Sequence, residues 1–212
     1  TLEIRNGIAR YYDCVSVMDQ NTGTILAQLE EDGLAEDTIV FFFSDHGSGM
    51  PRHKRQLHDS GMQVALMVRV PKKWQHLAPA VPGSVSERLV SFLDLPPTVL
   101  GLAGIDRPTT MQGAPILGKD GLQSRASVYG SKDRIDEAFD MARSIRTERY
   151  LYVRNYQTHL SAHQPSAYPD IAAIRQVFNF LAEVPEHLAP EHEAYLGSTR
   201  PMEELYDCEK DP

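Results

Sequence analysis

The 212 residues carry 21 Lys+Arg against 29 Asp+Glu, a formal net charge of -8, with 42% hydrophobic and 24% charged residues. Such usage excludes a chain that is disordered or low-complexity throughout, and the acidic balance argues against a nucleic-acid binder, which needs a broad basic face. No apolar run reaches the roughly 18 residues of a membrane-spanning helix, and two cysteines cannot build a disulfide-dense scaffold.

The chain starts Thr1-Leu2-Glu3, without Met or a basic-then-apolar leader, and stops at Glu209-Lys210-Asp211-Pro212. Both ends read as cut, so a piece of a longer polypeptide is expected. Ile8, Tyr11, Val15, Met18, Ile25 and Leu29 recur at helical spacing, with an interruption expected at Asn21-Thr22-Gly23 and a stop at Gly33. Thr38-Ile39-Val40-Phe41-Phe42-Phe43 reads as a strand covered on both faces. Val64 to Val70 gives a second strand, stopped by Pro71. A helix is expected to start within Ser86 to Leu93, and Pro96-Pro97 opens another through Leu102, with Gly104 after it. Residues 105–125 read as loop and Ala126 to Tyr129 as a short strand. Ser144 to Arg146 and Tyr150 to Val153 form two arms of a hairpin around Thr147-Glu148-Arg149. Residues 155–169 are a loop, and Ile171 to Leu181 a helix. Helix, short turn and buried strand define an α/β fold.

Open α/β sheets place their chemistry beyond the carboxyl ends of strands. Asp45-His46-Gly47 stands at such an end, and a carboxylate beside an imidazole can grip a metal from one loop; a turn Asp with a surface His is the plain alternative. Arg52-His53-Lys54-Arg55 inverts the local charge in an acidic chain. It could cradle a sulfate or phosphate, or be a solvated loop. Taken together, a metal and Lys54 converging on one tetrahedral anion would neutralise charge building on its oxygens.

These residues resemble the sulfatases of the alkaline phosphatase superfamily. Asp37 to Gly47 is similar to the family's "DNTIVIFTSDNG" segment. Arg52 to Val68 resembles the next block, a lysine before a "GG-x-x-VPLIV" strand. Met18-Asp19-Gln20 with Gly23 matches the preceding helix. Ser91 to Leu100 resembles "DLFPTLL", Arg143 to Tyr152 resembles "RAVRTDRYKYI", and Glu203 to Pro212 resembles "ELYDLENDP". Six blocks in order span nearly the whole chain. The loop from Arg154 to His159 also resembles bacterial relatives of heparan N-sulfatases.

The resemblance implies an alkaline-phosphatase-like mixed sheet with flanking helices, incomplete here, in residues 1–125. Residues 126–212 would begin a smaller C-terminal subdomain. It implies Asp45 and His46 as metal ligands, Asp45 as an aid to the nucleophile, and Lys54 as a sulfate contact. By family mechanism a formylglycine hydrate attacks sulfur, and the sulfated intermediate collapses to aldehyde and free sulfate. The substrate would be a sulfated small molecule or carbohydrate, and the location periplasmic or secreted.

Three departures from the pattern matter. Neither Cys14 nor Cys208, nor any serine, stands in a Cys/Ser-x-Pro/Ala-x-Arg run, so formylglycine is expected in a missing segment and this chain alone is expected to be inactive. His46 replaces the usual Asn. Ca²⁺ is the family metal, but imidazole suits Mn²⁺, Zn²⁺ or Fe, and Asp-His here also resembles phosphodiesterases and phosphonate monoester hydrolases. Ser60 replaces the first Gly of "GG". A non-catalytic anion-binding module is the remaining alternative.

Among lesser candidates, His159 and His163 lie in a loop that could reach the substrate, or are surface residues. Arg143 and Arg146 could meet an anionic sugar or make structural ion pairs. Trp74 is expected to cap core residues, Tyr206 to anchor packing, and Cys14 to be a buried hydrophobe. An open edge of apolar strands predicts either a homo-oligomer or a rearranged sheet.

Overall fold

The computed structural model describes residues 1–119, 121 and 124–210. It opens with one long helix, α1 (Leu2–Glu31), whose Ile4 N–H donates to the capping Thr1 hydroxyl at 3.4 Å. The expected interruption at Asn21-Thr22-Gly23 does not occur. The hydroxyls of Thr22 and Thr24 donate to the carbonyls of Met18 and Gln20 at 2.9 and 3.0 Å. Side chains that compete with helix in other settings are here absorbed by it, and one mid-helix glycine costs only about 1 kcal/mol. Gly33 ends the helix at φ 68°, with the Leu34 N–H closing back on the Leu29 carbonyl at 2.9 Å. No residue of α1 is buried. Cys14 is therefore exposed rather than buried, because even the best-covered residues of α1, Val15 and Leu29 among them, are only half-buried.

Strands β1 (Val40–Phe43) and β2 (Leu66–Arg69) pair antiparallel, Val40 opposite Arg69 and Phe43 opposite Leu66. They make a sheet of two. β1 was expected to be covered on both faces; instead Phe43 is 46% exposed and the three residues before it are half-buried. A two-stranded ribbon offers too little cover for its own apolar run. The helix expected from Ser86 is also absent. The capping box belongs to Ser91, which accepts from the Leu93 N–H while Asp94 accepts from the Ser91 N–H. The helix that follows, past a one-turn helix at Phe92–Asp94 and with α2 (Asp59–Met62) earlier in the chain, is α3 (Leu95–Leu102), with prolines in its first turn. Asp94 is 1% exposed and anchors Ala114, by accepting from its N–H at 2.8 Å, and Arg125, by an ion pair.

The second sheet has the order β3 (Val128–Ile135), β4 (Ala138–Arg146), β5 (Tyr150–Asn155) and β6 (Glu203–Asp207), all neighbours antiparallel. The expected hairpin around Thr147-Glu148-Arg149 is β4–β5, and the expected short strand extends to Ile135. Inward and outward residues alternate, as in a sheet covered on one face: Ala142, Ser144, Leu151, Val153 and Asn155 are buried, while Phe139 and Leu205 are exposed. Leu57, from the loop between β1 and β2, enters this core beside Ala142, Leu151 and Val153, with Tyr206 packed against it. Tyr206 is thus the packing anchor expected of it. After β5 come α4 (Ala167–Asp170), α5 (Ala173–Glu183) and α6 (Pro190–Leu196).

Candidate functional site

The chain leaves β1 at Phe43 and returns to β2 after a loop whose ends stay paired. The Ser44 N–H donates to the Ala65 carbonyl at 3.1 Å and the Gly47 N–H to the Gly61 carbonyl at 2.9 Å. A Cβ on Gly47 would stand 2.1 Å from the Ser60 carbonyl oxygen, so only glycine lets the two strands of the loop approach this closely. That closure fixes Asp45 and His46 at the strand end.

The Asp45 side chain is 82% exposed, and its Oδ1 lies 3.6 Å from His46 Nε2. His46 Nδ1 donates to the Gly47 carbonyl at 2.8 Å. In the neutral ring that bond leaves the Nε2 lone pair turned toward the carboxylate. Two electron-pair donors face one another, an arrangement that a cation relieves and that fits part of a metal's coordination shell. Among the described residues no set of three or more His, Cys, Asp or Glu side chains forms a metal site.

The basic cluster separates into individuals. Arg55 pairs with Asp136 and donates to Ser166 at 3.1 Å, and Arg52 lies 5.9 Å over the Tyr206 ring. His53 Nδ1 bonds the Ser48 hydroxyl at 2.7 Å, and burial, with the Arg52 charge second, lowers its pKa. Lys54 is half-buried and has no carboxylate partner among the described residues; its Nζ lies 5.3 Å over Tyr168, and its N–H donates to the Ser48 carbonyl at 3.0 Å. Arg52 and Arg55, which bracket it, have φ of 65° and 76°. Non-glycine residues hold this left-handed conformation at a cost of about 1 kcal/mol or more each, and such strain gathers at functional sites.

Arg143 and His159 stand apart from this loop's contacts. Arg143 Nη2 pairs with Asp133 at 2.9 Å and Nη1 donates to the Ala142 carbonyl at 2.7 Å. Arg146 pairs with Asp59, the structural alternative weighed for it. His159 is exposed in the turn closed by Leu160 N–H on the Gln157 carbonyl. His163 is 6% exposed, its ring held between Arg175 and Asn179 at 2.6 and 2.7 Å; burial first, and then the Arg175 charge, bring its pKa down to about 4. Trp74 lines an open apolar groove of about 350 Å³ with Ile39, Phe41, Leu77, Val99 and Leu102.

Sequence reasoning missed the polar group beneath the loop. Glu204 accepts from His58 at 3.3 Å, from Asn155 and from Tyr206. Burial alone would raise its pKa, yet the hydrogen bonds from His58, Tyr206 and Asn155 hold it at about 2. The signal was a carboxylate on the same strand face as the apolar anchor Tyr206, two residues away.

This α/β chain is similar to the sulfatases and has an alkaline-phosphatase-like fold. Residues 3–105 match the family model described as Sulfatase. An ulvan-active sulfatase of Formosa agariphila is 33% identical over 210 residues, 99% of this chain and 34% of that protein. Human N-sulphoglucosamine sulphohydrolase is 37% identical over 108 residues, 50% of this chain and 20% of its own length. A structure solved in complex with its substrate D-glucosamine-2-N,6-O-disulfate superposes with a TM-score of 0.57 at 22% identity, covering 82% of this chain and 37% of that one. A 2-O GAG sulfatase gives 0.57 at 20% identity over 80% of this chain and 39% of its own. At these identities the two structures speak for the fold. The chain spans between about a fifth and two fifths of each of these proteins.

Proposed function

We propose that this chain is the later part of the catalytic domain of a metal-dependent sulfatase that hydrolyses sulfate esters or sulfamates of a carbohydrate. The observation that carries the reading is the turn after β1. There the Asp45 carboxylate faces His46 Nε2 at 3.6 Å, and Lys54, without a carboxylate partner among the described residues, returns along the same loop.

Asp45 and His46 would hold a divalent cation, Ca²⁺ first, with Mn²⁺ or Zn²⁺ favoured by the imidazole. When bound, that ion supplies electrophilic stabilisation of sulfate oxygens. Lys54 places an ammonium group on the sulfate and offsets the negative charge that gathers as the S–O or S–N bond breaks. The nucleophile would come from a Cys/Ser-x-Pro/Ala-x-Arg run outside these 212 residues, so the chain alone is inactive. Relatives named for ulvan and for N-sulphoglucosamine support a sulfated carbohydrate as substrate.

His46 in place of Asn keeps a phosphodiesterase or phosphonate monoester hydrolase as the second reading. The test offers matched sulfate and phosphate esters to the polypeptide that joins this chain to the motif. Sulfate ester turnover is expected, falling by roughly 100-fold or more in Lys54→Ala. Asp45→Asn is expected to lose the metal; even partners outside the ligand shell are worth about 10–100-fold in affinity. Turnover of phosphate esters alone points to the second reading. Turnover by the 212-residue chain alone overturns the missing nucleophile. A full-length protein that binds neither sulfate nor metal is an assembly module instead.

A further inference from the structure

We infer that Glu204, on the last strand of the second sheet, is a positioning residue for the loop that carries Lys54, and that it acts through His58. The inference rests on the reading of Lys54 as the sulfate contact.

The two groups are 146 residues apart in sequence, yet His58 Nε2 donates to Glu204 Oε2 at 3.3 Å. The same carboxylate takes a bond from the Tyr206 hydroxyl on that oxygen and from the Asn155 amide on the other. Tyr206 carries the His58 ring edge-on at 5.3 Å and lies beneath the Arg52 guanidinium at 5.9 Å. Three side chains, Asn155 from β5, Tyr206 from β6 and His58 from the loop, thus converge on one carboxylate.

The neighbours of His58 hold the segment in other ways. Leu57 sinks into the apolar core, which sets depth without direction. Asp59 takes the Arg146 guanidinium at 3.0 Å and fixes the start of α2. Orientation of His58 itself depends on Glu204, because His58 Nδ1 is buried without a hydrogen-bond partner. A cavity of about 30 Å³, the room of about one water molecule, lies between loop and sheet beside Arg52, Gln56, His58, Lys132 and Glu204, and lets these side chains shift slightly once that bond is lost.

Room to shift matters because of the backbone upstream. Arg52 and Arg55 sit in the left-handed region on either side of His53-Lys54. Strained dihedrals persist only where surrounding contacts over-determine them. With Glu204 neutralised, the segment relaxes toward ordinary φ, and Lys54 leaves its place over Tyr168. An amide has one accepting oxygen, which can face either Asn155 or the His58–Tyr206 pair but not both, so Glu204→Gln removes the charge and one side of the hydrogen bonding and weakens the constraint while keeping the shape.

The test compares the 212-residue chain with Glu204→Gln, His58→Leu and His58→Gln by amide hydrogen exchange, and follows the Lys54 ε-methylene signals, which the Tyr168 ring current shifts. Glu204→Gln and His58→Leu are expected to raise exchange of residues 52–58 about tenfold, with β4 and β5 within about twofold, and to move the Lys54 signals toward free-lysine positions. His58→Gln keeps a donor for Glu204 and is expected to restore protection. Exchange rising equally across the loop and the sheet means that Glu204 merely supports the fold, and overturns the inference. So does an unchanged loop in both His58→Leu and Glu204→Gln; His58→Leu stands on its own if Glu204→Gln does not fold. Inorganic sulfate with Ca²⁺ is added last to the polypeptide that joins this chain to the missing motif: failure to protect the loop there overturns the reading of Lys54, a result separate from the clamp.

Discussion

Single residues carry most of the acid-sensitive chemistry. His163 is neutral and buried, accepting from Arg175 on Nδ1 and donating to Asn179 from Nε2. Its pKa falls from 6.5 in the open chain to about 4 in the fold. The fold therefore binds fewer protons than the unfolded chain between those values. Its contribution, about 3 kcal/mol at most, is complete above pH 6.5 and is lost as pH falls toward 4. Glu204 adds a second window, because its pKa drops from 4.5 to about 2; that contribution is complete above pH 4.5 and is lost on further acidification. Urea midpoints should fall in two stages between pH 7 and pH 3, and His163→Gln should remove most of the first. A midpoint flat from pH 7 to 5 in the unaltered protein contradicts the assignment. Asp45 and His46 could be nominated from the sequence because the pattern is local: an apolar strand, an acid, an imidazole and a glycine in a row. His58 and Glu204 could not, because their partnership spans 146 residues and no short pattern records it.

At the level of elements, legibility followed how local the deciding contacts are. The β4–β5 hairpin and the proline-led α3 are set by their own turn and cap residues, and both appear where the periodicity puts them. The supposed break in α1 failed because threonine hydroxyls bonded back to the helix. The helix expected from Ser86 failed because Ser91 and Asp94 complete the capping box one turn later. The loop after β1 depends on a close approach that sequence shows only as a lone glycine. Gly47→Ala is expected to destabilise the protein by about 2 kcal/mol through steric conflict with the Ser60 carbonyl. It should also disturb Asp45 and His46 before any strand of the second sheet. Denaturant unfolding and metal titration of this variant would check both effects, and an unchanged midpoint would show that the loop has slack.

The whole molecule is unevenly consolidated. The second sheet has a core on one face, and the loop from Arg52 to Met62 closes over it. The first sheet has two strands, an open apolar groove and Phe43 exposed. Along α1, Ile8, Tyr12, Val17, Met18 and Ile25 are exposed as well. This much exposed apolar surface favours association in water. Sedimentation of the isolated 212-residue chain should show mass rising with concentration, and a strictly monomeric chain at high concentration would contradict this.

The long first helix meets the rest of the chain chiefly at α5, where Gly7 lies against Ile174. A segment so lightly held frays independently of the sheets. Trypsin would then reach Arg5 and Arg10 well before any arginine of β4 or β5, and the truncated product would keep the loop and its carboxylate clamp. Such early nicking would reveal where the molecule gives way first, and would leave both sheets and the loop between β1 and β2 whole.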